Sequence, residues 1–255
     1  MSMDPVVPAP GPLPGGGIHW HPARGTPLFR ISQAFCRVGC STLFDLKVFG
    51  SETFPPDGGV LVVSNHQSLL DPVLIGVAMP RPLSYMAKSE LFTNPLFAAL
   101  IRAYGAFPVR QTGSAAGAIK ETIDRLREGA ALNIFPEGTR TPAGGIRPFE
   151  KGTALVVRKA KVPVVPVAVH GSFEAWPSGT KLPTPHPVRI QFGPPMLLHD
   201  QRPDVITDTL ERSVRGMFDA LRARDPHAEE KTAWAAARRD RYVAEKKAAR
   251  EKRSR

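Results

Sequence analysis

From Phe44 to about Ala223 the chain alternates short runs of branched apolar residues with stretches of helical period, and this alternation restricts the fold more than any other feature. Apolar runs near 44–49, 60–64, 83–87, 106–109, 131–135, 164–169 and 188–192 have the length and β-former content of strands. Helical patterns fall between them, near 72–79, 95–103, 114–128, 151–160 and 204–223. The pattern predicts an α/β domain with a largely parallel or mixed sheet covered by helices. Local punctuation agrees: Asn94 reads as an N-cap with Pro95 at the first helical position, and Gly105 and Gly129 fall just past helix ends.

A chain of 255 residues supports one substantial core, and the alternation places it within 27–225. Residues 1–26 are dense in Pro and Gly and read as a flexible arm; His19 and His21 there lack the further ligands a metal site needs. Residues 27–42 set Leu28, Ile31, Phe35 and Val38 on one helical stripe, with Arg30, Gln33 and Arg37 elsewhere. Such a helix either packs on the domain or lies in a membrane interface. The last thirty residues, 226–255, hold ten Lys or Arg against five Asp or Glu and read as a solvated, partly helical basic tail, or as one drawn to anionic lipid head groups.

The formal charge of +11 favours an anionic partner without choosing among nucleic acid, membrane and phosphorylated small molecules. Cys36 and Cys40, four apart in a helical stretch, offer neither a disulfide framework nor a zinc ligand set, which points to a reducing compartment. No run approaches the roughly 20 apolar residues of a spanning helix, and no signal-peptide pattern opens the chain, so the expectation is a peripheral or cytoplasmic protein.

Directly after Val60-Leu61-Val62-Val63 comes Asn65-His66-Gln67-Ser68-Leu69-Leu70-Asp71. In a straight helix, residues five apart point about 140° away from each other, so His66 and Asp71 meet only across a turn. With Asp71 as N-cap and Pro72 opening the next helix, the chain curls back and the carboxylate reaches the imidazole. It would fix the tautomer and leave the other ring nitrogen free to take a proton. Asn, His and Asp are also ordinary turn formers, so the heptapeptide alone leaves both readings open.

Three further segments add weight. Gly105 to Arg110 is a short strand ending in a guanidinium, and Phe135-Pro136-Glu137-Gly138-Thr139-Arg140 runs from a buried-type strand into a loop with a carboxylate, a Gly, a hydroxyl and a second guanidinium. The carboxyl rim of an open α/β sheet is where ligands bind, and a guanidinium grips phosphate with two parallel hydrogen bonds. Gly138 would allow close backbone approach or positive φ. Val162 to Val167 reads as a strand, but Pro163 and Pro166 lie at opposite parity, so its entry should be distorted or at an edge, shaping a pocket wall.

With these segments in order, the chain resembles the glycerolipid acyltransferases, and among them the 1-acyl-sn-glycerol-3-phosphate acyltransferases. Asn65-His66 with Asp71 is similar to that family's H-x4-D block, Gly105 to Arg110 to its second, Glu137 to Arg140 to its third and Val162 to Val167 to its fourth. Gln111 departs from the pattern, since many relatives place a second basic residue there, and the basic tail lies outside it.

The resemblance implies acyl transfer from a thioester of coenzyme A or acyl carrier protein to the sn-2 hydroxyl of lysophosphatidic acid, giving phosphatidic acid, with no cofactor. It implies His66 as general base, Asp71 as its orienting carboxylate, and Arg110, Glu137, Gly138, Thr139 and Arg140 as acceptor-binding residues, with Asn65, Lys88 and Lys151 in flanking positions of lower rank. No G-x-S-x-G elbow is present and both cysteines lie far from these blocks, so no covalent intermediate is implied. Expected partners are an anionic membrane surface and the two substrates, with the enzyme on the cytoplasmic side. Other acceptors, such as glycerol-3-phosphate, a lysophospholipid or a lyso-ornithine lipid, fit the same blocks. A non-catalytic basic module binding membrane or nucleic acid is disfavoured, because no nucleic-acid-binding motif accompanies the charge.

Overall fold

The structure, a computed structural model, describes residues 27–88, 92–95, 98, 106–109 and 115–253, with side chains at 28, 86–88, 106–109, 115, 250 and 252–253 left aside. In chain order the elements are α1 (Pro27–Phe44), β1 (Lys47–Phe49), β2 (Val60–Ser64), α2 (Asp71–Ala78), β3 (Leu83–Lys88), β4 (Ala106–Val109), α3 (Ala115–Arg127), β5 (Ala131–Ile134), α4 (Gly152–Ala160), β6 (Val164–His170), α5 (Ser172–Ala175), β7 (Arg189–Phe192), α6 (Pro203–Arg222) and α7 (Ala228–Arg253). The strands form one sheet in the order β1-β7-β6-β2-β5-β3-β4. Every neighbouring pair is parallel except β6 with β7, so the sheet is mixed and its α/β class is the expected one. The arm 1–26 and most of the helix expected at 95–103 lie outside the described residues; Ala98 N–H does donate to Asn94 C=O at 2.8 Å.

Why β2 is a solid apolar run follows from its place. Successive side chains of a strand point to opposite faces. Val60 and Val62 pack with Leu74, Ile75 and Val165 on one face, while Leu61 and Val63 pack with Leu132, Val157 and Leu210 on the other. All four are 0 % exposed, so neither face tolerates a polar residue. α6 covers the second face through Ile206, Leu210, Val214, Met217, Phe218 and Leu221, a stripe of helical period.

Of the two alternatives for Val162–Val167, a distortion or an edge, the structure shows the distortion. β6 is central, flanked by β2 and β7, and its prolines are accommodated by its neighbour. Val167 pairs with Phe192, but Val164 bridges Met196, so residues 193–195 contain one more residue than the strand they oppose. That bulge faces Pro166, which has no N–H to offer a regular ladder. Gly193 closes the fit: its N–H donates to Pro166 C=O at 2.8 Å, and a Cβ there would lie 2.8 Å from Pro166 Cγ.

α1 packs on the domain at the end of α2, yet its apolar stripe stays outward. Ile31, Phe35 and Val38 are 58 %, 76 % and 67 % exposed, whereas Gln33 is buried. Gln33 Nε2 donates to the carbonyls of Gly76 and Met79, and Arg37 donates to those of Val77 and Met79. The helix docks by the side that carries Gln33, Arg37, Cys40 and Phe44: Cys40 and Phe44 join the core, and the two polar side chains meet the end of α2, whose final-turn carbonyls have no partner within their own helix.

The tail is helical, and its first turns dock on the domain instead of being solvated. Residues 228–253 form α7, and Ala228 and Ala235 are buried against the domain. Small side chains at this spacing give no apolar stripe to read in the sequence, yet they let a helix backbone approach closely.

Candidate active site

β2 and β5 are parallel neighbours, with Val63 opposite Ile134, so the loops leaving their carboxyl ends emerge side by side. They then diverge. After β2 the chain enters α2, whose Leu74 and Ile75 join the first core face; after β5 it reaches α4, whose Val156 and Val157 join the second. A crevice at such a switch point is the usual ligand position in an open α/β sheet.

Within that crevice His66 Nδ1 lies 2.8 Å from Asp71 Oδ2. The imidazole side chain is 18 % exposed and the carboxylate 0 %. With Nδ1–H donated to the carboxylate, Nε2 is the acceptor nitrogen. Phe135 stacks on the ring, centroids 3.9 Å apart and planes 17° apart, restricting ring rotation.

Asp71 is not the N-cap that the sequence predicted. It is already helical, Leu70 holds the cap position, and its carboxylate reaches back to the preceding turn. Oδ2 accepts Gln67 N–H at 2.6 Å and Ser68 N–H at 2.7 Å besides the imidazole. One oxygen therefore holds both the turn and the ring. Oδ1 is buried with no partner among the described residues.

Glu137 links the two loops. Its Oε1 accepts His66 N–H at 2.6 Å and its Oε2 accepts Arg147 N–H at 2.7 Å, and the side chain is buried. Thr141 N–H donates to His66 C=O at 2.9 Å, so both sides of the His66 peptide are tied to the β5 loop. Burial pushes the Glu137 carboxyl up to about 7, and the charge of Asp71 adds to the rise; the two amide hydrogen bonds and the Arg147 charge pull the other way. The sequence assigned Glu137 to the acceptor, whereas both its oxygens are engaged by backbone. Gly138 has φ +67°, a conformation that side chains rarely adopt, so glycine is required by the backbone; the atom nearest an added Cβ, Glu150 Oε1, ends an exposed side chain that can move away.

The remaining predicted residues divide. Arg140 is partly exposed, has no hydrogen-bond or ion-pair partner among the described residues, and immediately precedes Thr141, which is bonded to His66; Thr139 beside it is exposed. Lys151 is exposed where α4 begins. Arg110 and the side chain of Lys88 lie outside the described residues. Asn65 is corrected: its amide is 0 % exposed and exchanges two 2.8 Å hydrogen bonds with the backbone of Val169, pinning β2 to β6 instead of facing the crevice. Sequence reasoning missed Phe135 and Thr141, the two residues flanking Pro136 to Arg140. It also missed Gln67, whose Nε2 donates to Gly144 C=O at 2.5 Å.

A carboxylate-steadied imidazole at the sheet rim can accept a proton from a bound hydroxyl, and the serine of the same turn, Ser68, has its own hydroxyl turned to Trp176 C=O. The chain belongs to the acyltransferase family: that family's model matches residues 45–170, which takes in the H-x4-D turn, Glu137 to Arg140 and all of β6. The enzyme is thus an acyl-group transferase. It is 29 % identical to the 1-acyl-sn-glycerol-3-phosphate acyltransferase of Bacillus subtilis, over 73 % of this chain and 97 % of that one. A chloroplastic relative from Arabidopsis thaliana, also described as a 1-acyl-sn-glycerol-3-phosphate acyltransferase, is 26 % identical over 74 % of this chain, which spans only 53 % of the plant protein's length. The crystal structure of the 1-acyl-sn-glycerophosphate acyltransferase PlsC from Thermotoga maritima superposes with a TM-score of 0.69 at 29 % identity, covering 77 % of this chain and 80 % of that one.

Proposed function

We propose that the protein acylates the sn-2 hydroxyl of lysophosphatidic acid from an acyl thioester, carried by coenzyme A or acyl carrier protein, to give phosphatidic acid. The observation that bears most weight is the His66–Asp71 contact at 2.8 Å with the imidazole partly open to the crevice. His66 Nε2 takes the acceptor's hydroxyl proton as its oxygen attacks the thioester carbonyl, and Asp71 stabilises the imidazolium. Collapse of the tetrahedral intermediate breaks the C–S bond, and the proton on His66 neutralises the departing thiolate. Arg140, with no protein partner among the described residues, holds the phosphate, and Arg110 joins it from the neighbouring block. Thr139 and Lys151, both exposed on the same segment, complete the polar rim.

Magnitude supports work at a bilayer. Withdrawing a tail of about 15 methylenes into water costs roughly 12 kcal/mol at ~0.8 kcal/mol each. α1 presents Ile31, Phe35 and Val38 outward, and Leu69 and Val73, on the catalytic turn and the helix after it, are also 54 % and 49 % exposed. Among the described residues no helix is long and apolar enough to cross a membrane, so the reading is peripheral attachment to an anionic surface.

The test is mass spectrometry of products formed by the purified protein from mixed lyso-acceptors, with acyl-CoA and acyl carrier protein supplied separately. Phosphatidic acid should dominate. A dominant product from glycerol-3-phosphate or from a lysophospholipid with a larger head group would replace the acceptor assignment.

A further inference from the structure

α7 lies beyond residues 45–170, the part matched by the family model, and its contacts lead back to the catalytic turn by two separate routes. The first runs through Thr232. Its hydroxyl lies 2.5 Å from Glu174 Oε1 and 2.8 Å from Ala228 C=O, the buried carboxylate being the nearer acceptor. Its methyl packs on Gly144, where a Cβ would stand 2.7 Å from Thr232 Cγ2 and 2.9 Å from Phe173 Cδ1. Gly144 C=O in turn accepts Gln67 Nε2. Gln67 follows His66 and donates its own N–H to Asp71.

The second route runs through Arg238. Its guanidinium donates to Thr184 Oγ1 at 2.9 Å and Leu182 C=O at 2.6 Å. Thr184 N–H donates to Ala175 C=O at 2.8 Å, and the next carbonyl, that of Trp176, accepts Ser68 Oγ at 2.8 Å. Ser68 supplies the other backbone N–H to Asp71. Both routes therefore end on the two residues whose amides fix the Asp71 carboxylate, and neither uses a contact of the other.

We propose that α7 is a clamp on the His66–Ser68 turn, with Thr232 and Arg238 as positioning residues for the His66–Asp71 pair. The basic helix is then part of the catalytic scaffold, and its charge is a separate property carried on the outward side. A turn held by one carboxylate oxygen has little tolerance: displacement of a reacting group by about 1 Å costs up to 10²-fold in rate. Glu174 Oε2 is buried with no hydrogen-bond partner among the described residues and Oε1 takes the Thr232 hydroxyl, so a second methyl in place of that hydroxyl would leave the buried carboxylate unsatisfied and push the helix off Gly144.

The inference rests on the His66 assignment above for its kinetic consequence, but not for its structural one, and the experiment separates them. Thr232→Val, Arg238→Ala and a control at the exposed far end of the helix, Lys247→Ala, are made in the full chain and checked for folding by thermal melts. Hydrogen exchange at the Gln67 and Ser68 amides is measured alongside kcat and KM on detergent-dispersed lysophosphatidic acid. Thr232→Val should speed exchange at both amides and lower kcat by about tenfold with KM within about twofold, Arg238→Ala should do the same more weakly, and Lys247→Ala should match wild type. Wild-type exchange and kcat in both Thr232→Val and Arg238→Ala would overturn the clamp, as would a kcat loss without faster exchange at 67–68. If wild-type protein transfers no acyl group to this acceptor, the acceptor assignment fails, while faster exchange in Thr232→Val still supports the clamp. Arg238→Ala, which removes only a partly exposed side chain, decides the matter if Thr232→Val does not fold.

Discussion

Two parts of the molecule break the rule of apolar in and polar out, and they break it in opposite directions. At the β2–β5 crevice Gln67, Ser68, Asp71 and Glu137 are buried, each tied to backbone, so burial is offset by hydrogen bonds and the geometry of His66 is fixed. On α1 the apolar residues Ile31, Phe35 and Val38 face outward, and polar side chains hold the helix down. The first region spends stability on precision; the second keeps apolar area exposed in water, which suits a helix whose partner is not water. Violations of patterning mark function when each has its own physical compensation.

The comparison is tested first at its chemical end. His66→Ala should lower kcat by about 10² to 10⁴ while leaving vesicle binding intact. Near wild-type turnover would remove the general base from this site.

Next comes the cost of the buried polar network. The folded-state pKa of Glu137, about 7, lies above its ordinary 4.5, so the folded protein holds this proton more tightly than the unfolded chain. Its stabilising contribution is complete below about pH 4.5 and is lost as pH rises toward about 7, at up to ~1.4 kcal/mol per pH unit. Relative to Glu137→Gln, wild type should thus lose about 2 kcal/mol of unfolding free energy between pH 5 and 7.5, measured by denaturant titration. Parallel pH curves for the two proteins would show that the carboxyl is not held above its usual range.

At the exposed apolar stripe of α1, if it is the membrane-binding face proposed above, Phe35→Ser should weaken binding to anionic vesicles by about tenfold or more, from the roughly 1.5–3 kcal/mol of one aromatic leaving an apolar phase. Turnover on detergent-dispersed substrate should stay at the wild-type level. Equal vesicle binding by wild type and variant would mean that the exposed stripe serves something other than a membrane. The smallest effect belongs to the rim: Arg140→Lys replaces a bidentate fork by a point charge and should raise KM for lysophosphatidic acid several-fold, about 1 kcal/mol, with kcat little changed. Identical steady-state constants would place the phosphate elsewhere.

Much of the site was legible because its signals are local. The spacing of His66 and Asp71 demanded a turn, and Gly138 was readable as a conformational requirement, met at φ +67°. The role of Glu137 was not legible, because its partners are the amides of His66 and Arg147, 71 residues before it and 10 after it. Asn65 misled for the same reason: a polar residue next to a candidate base can serve the site or the strand, and only Val169, 104 residues away, shows that it serves the strand.

By itself the sequence determined the strands and most of the longer helices, since periodicity and apolar runs act through neighbours along the chain, and it determined which residue types were available for chemistry. Tertiary structure alone decided which way amphipathic elements face. A stripe on α1 has the same period whether it meets a core or a bilayer, and its orientation was set by the free carbonyls at the end of α2 and by the core that takes Cys40 and Phe44. The same holds for α7, whose alanines become a docking surface only because Gly144 and Glu174 come together from distant parts of the chain to receive Thr232.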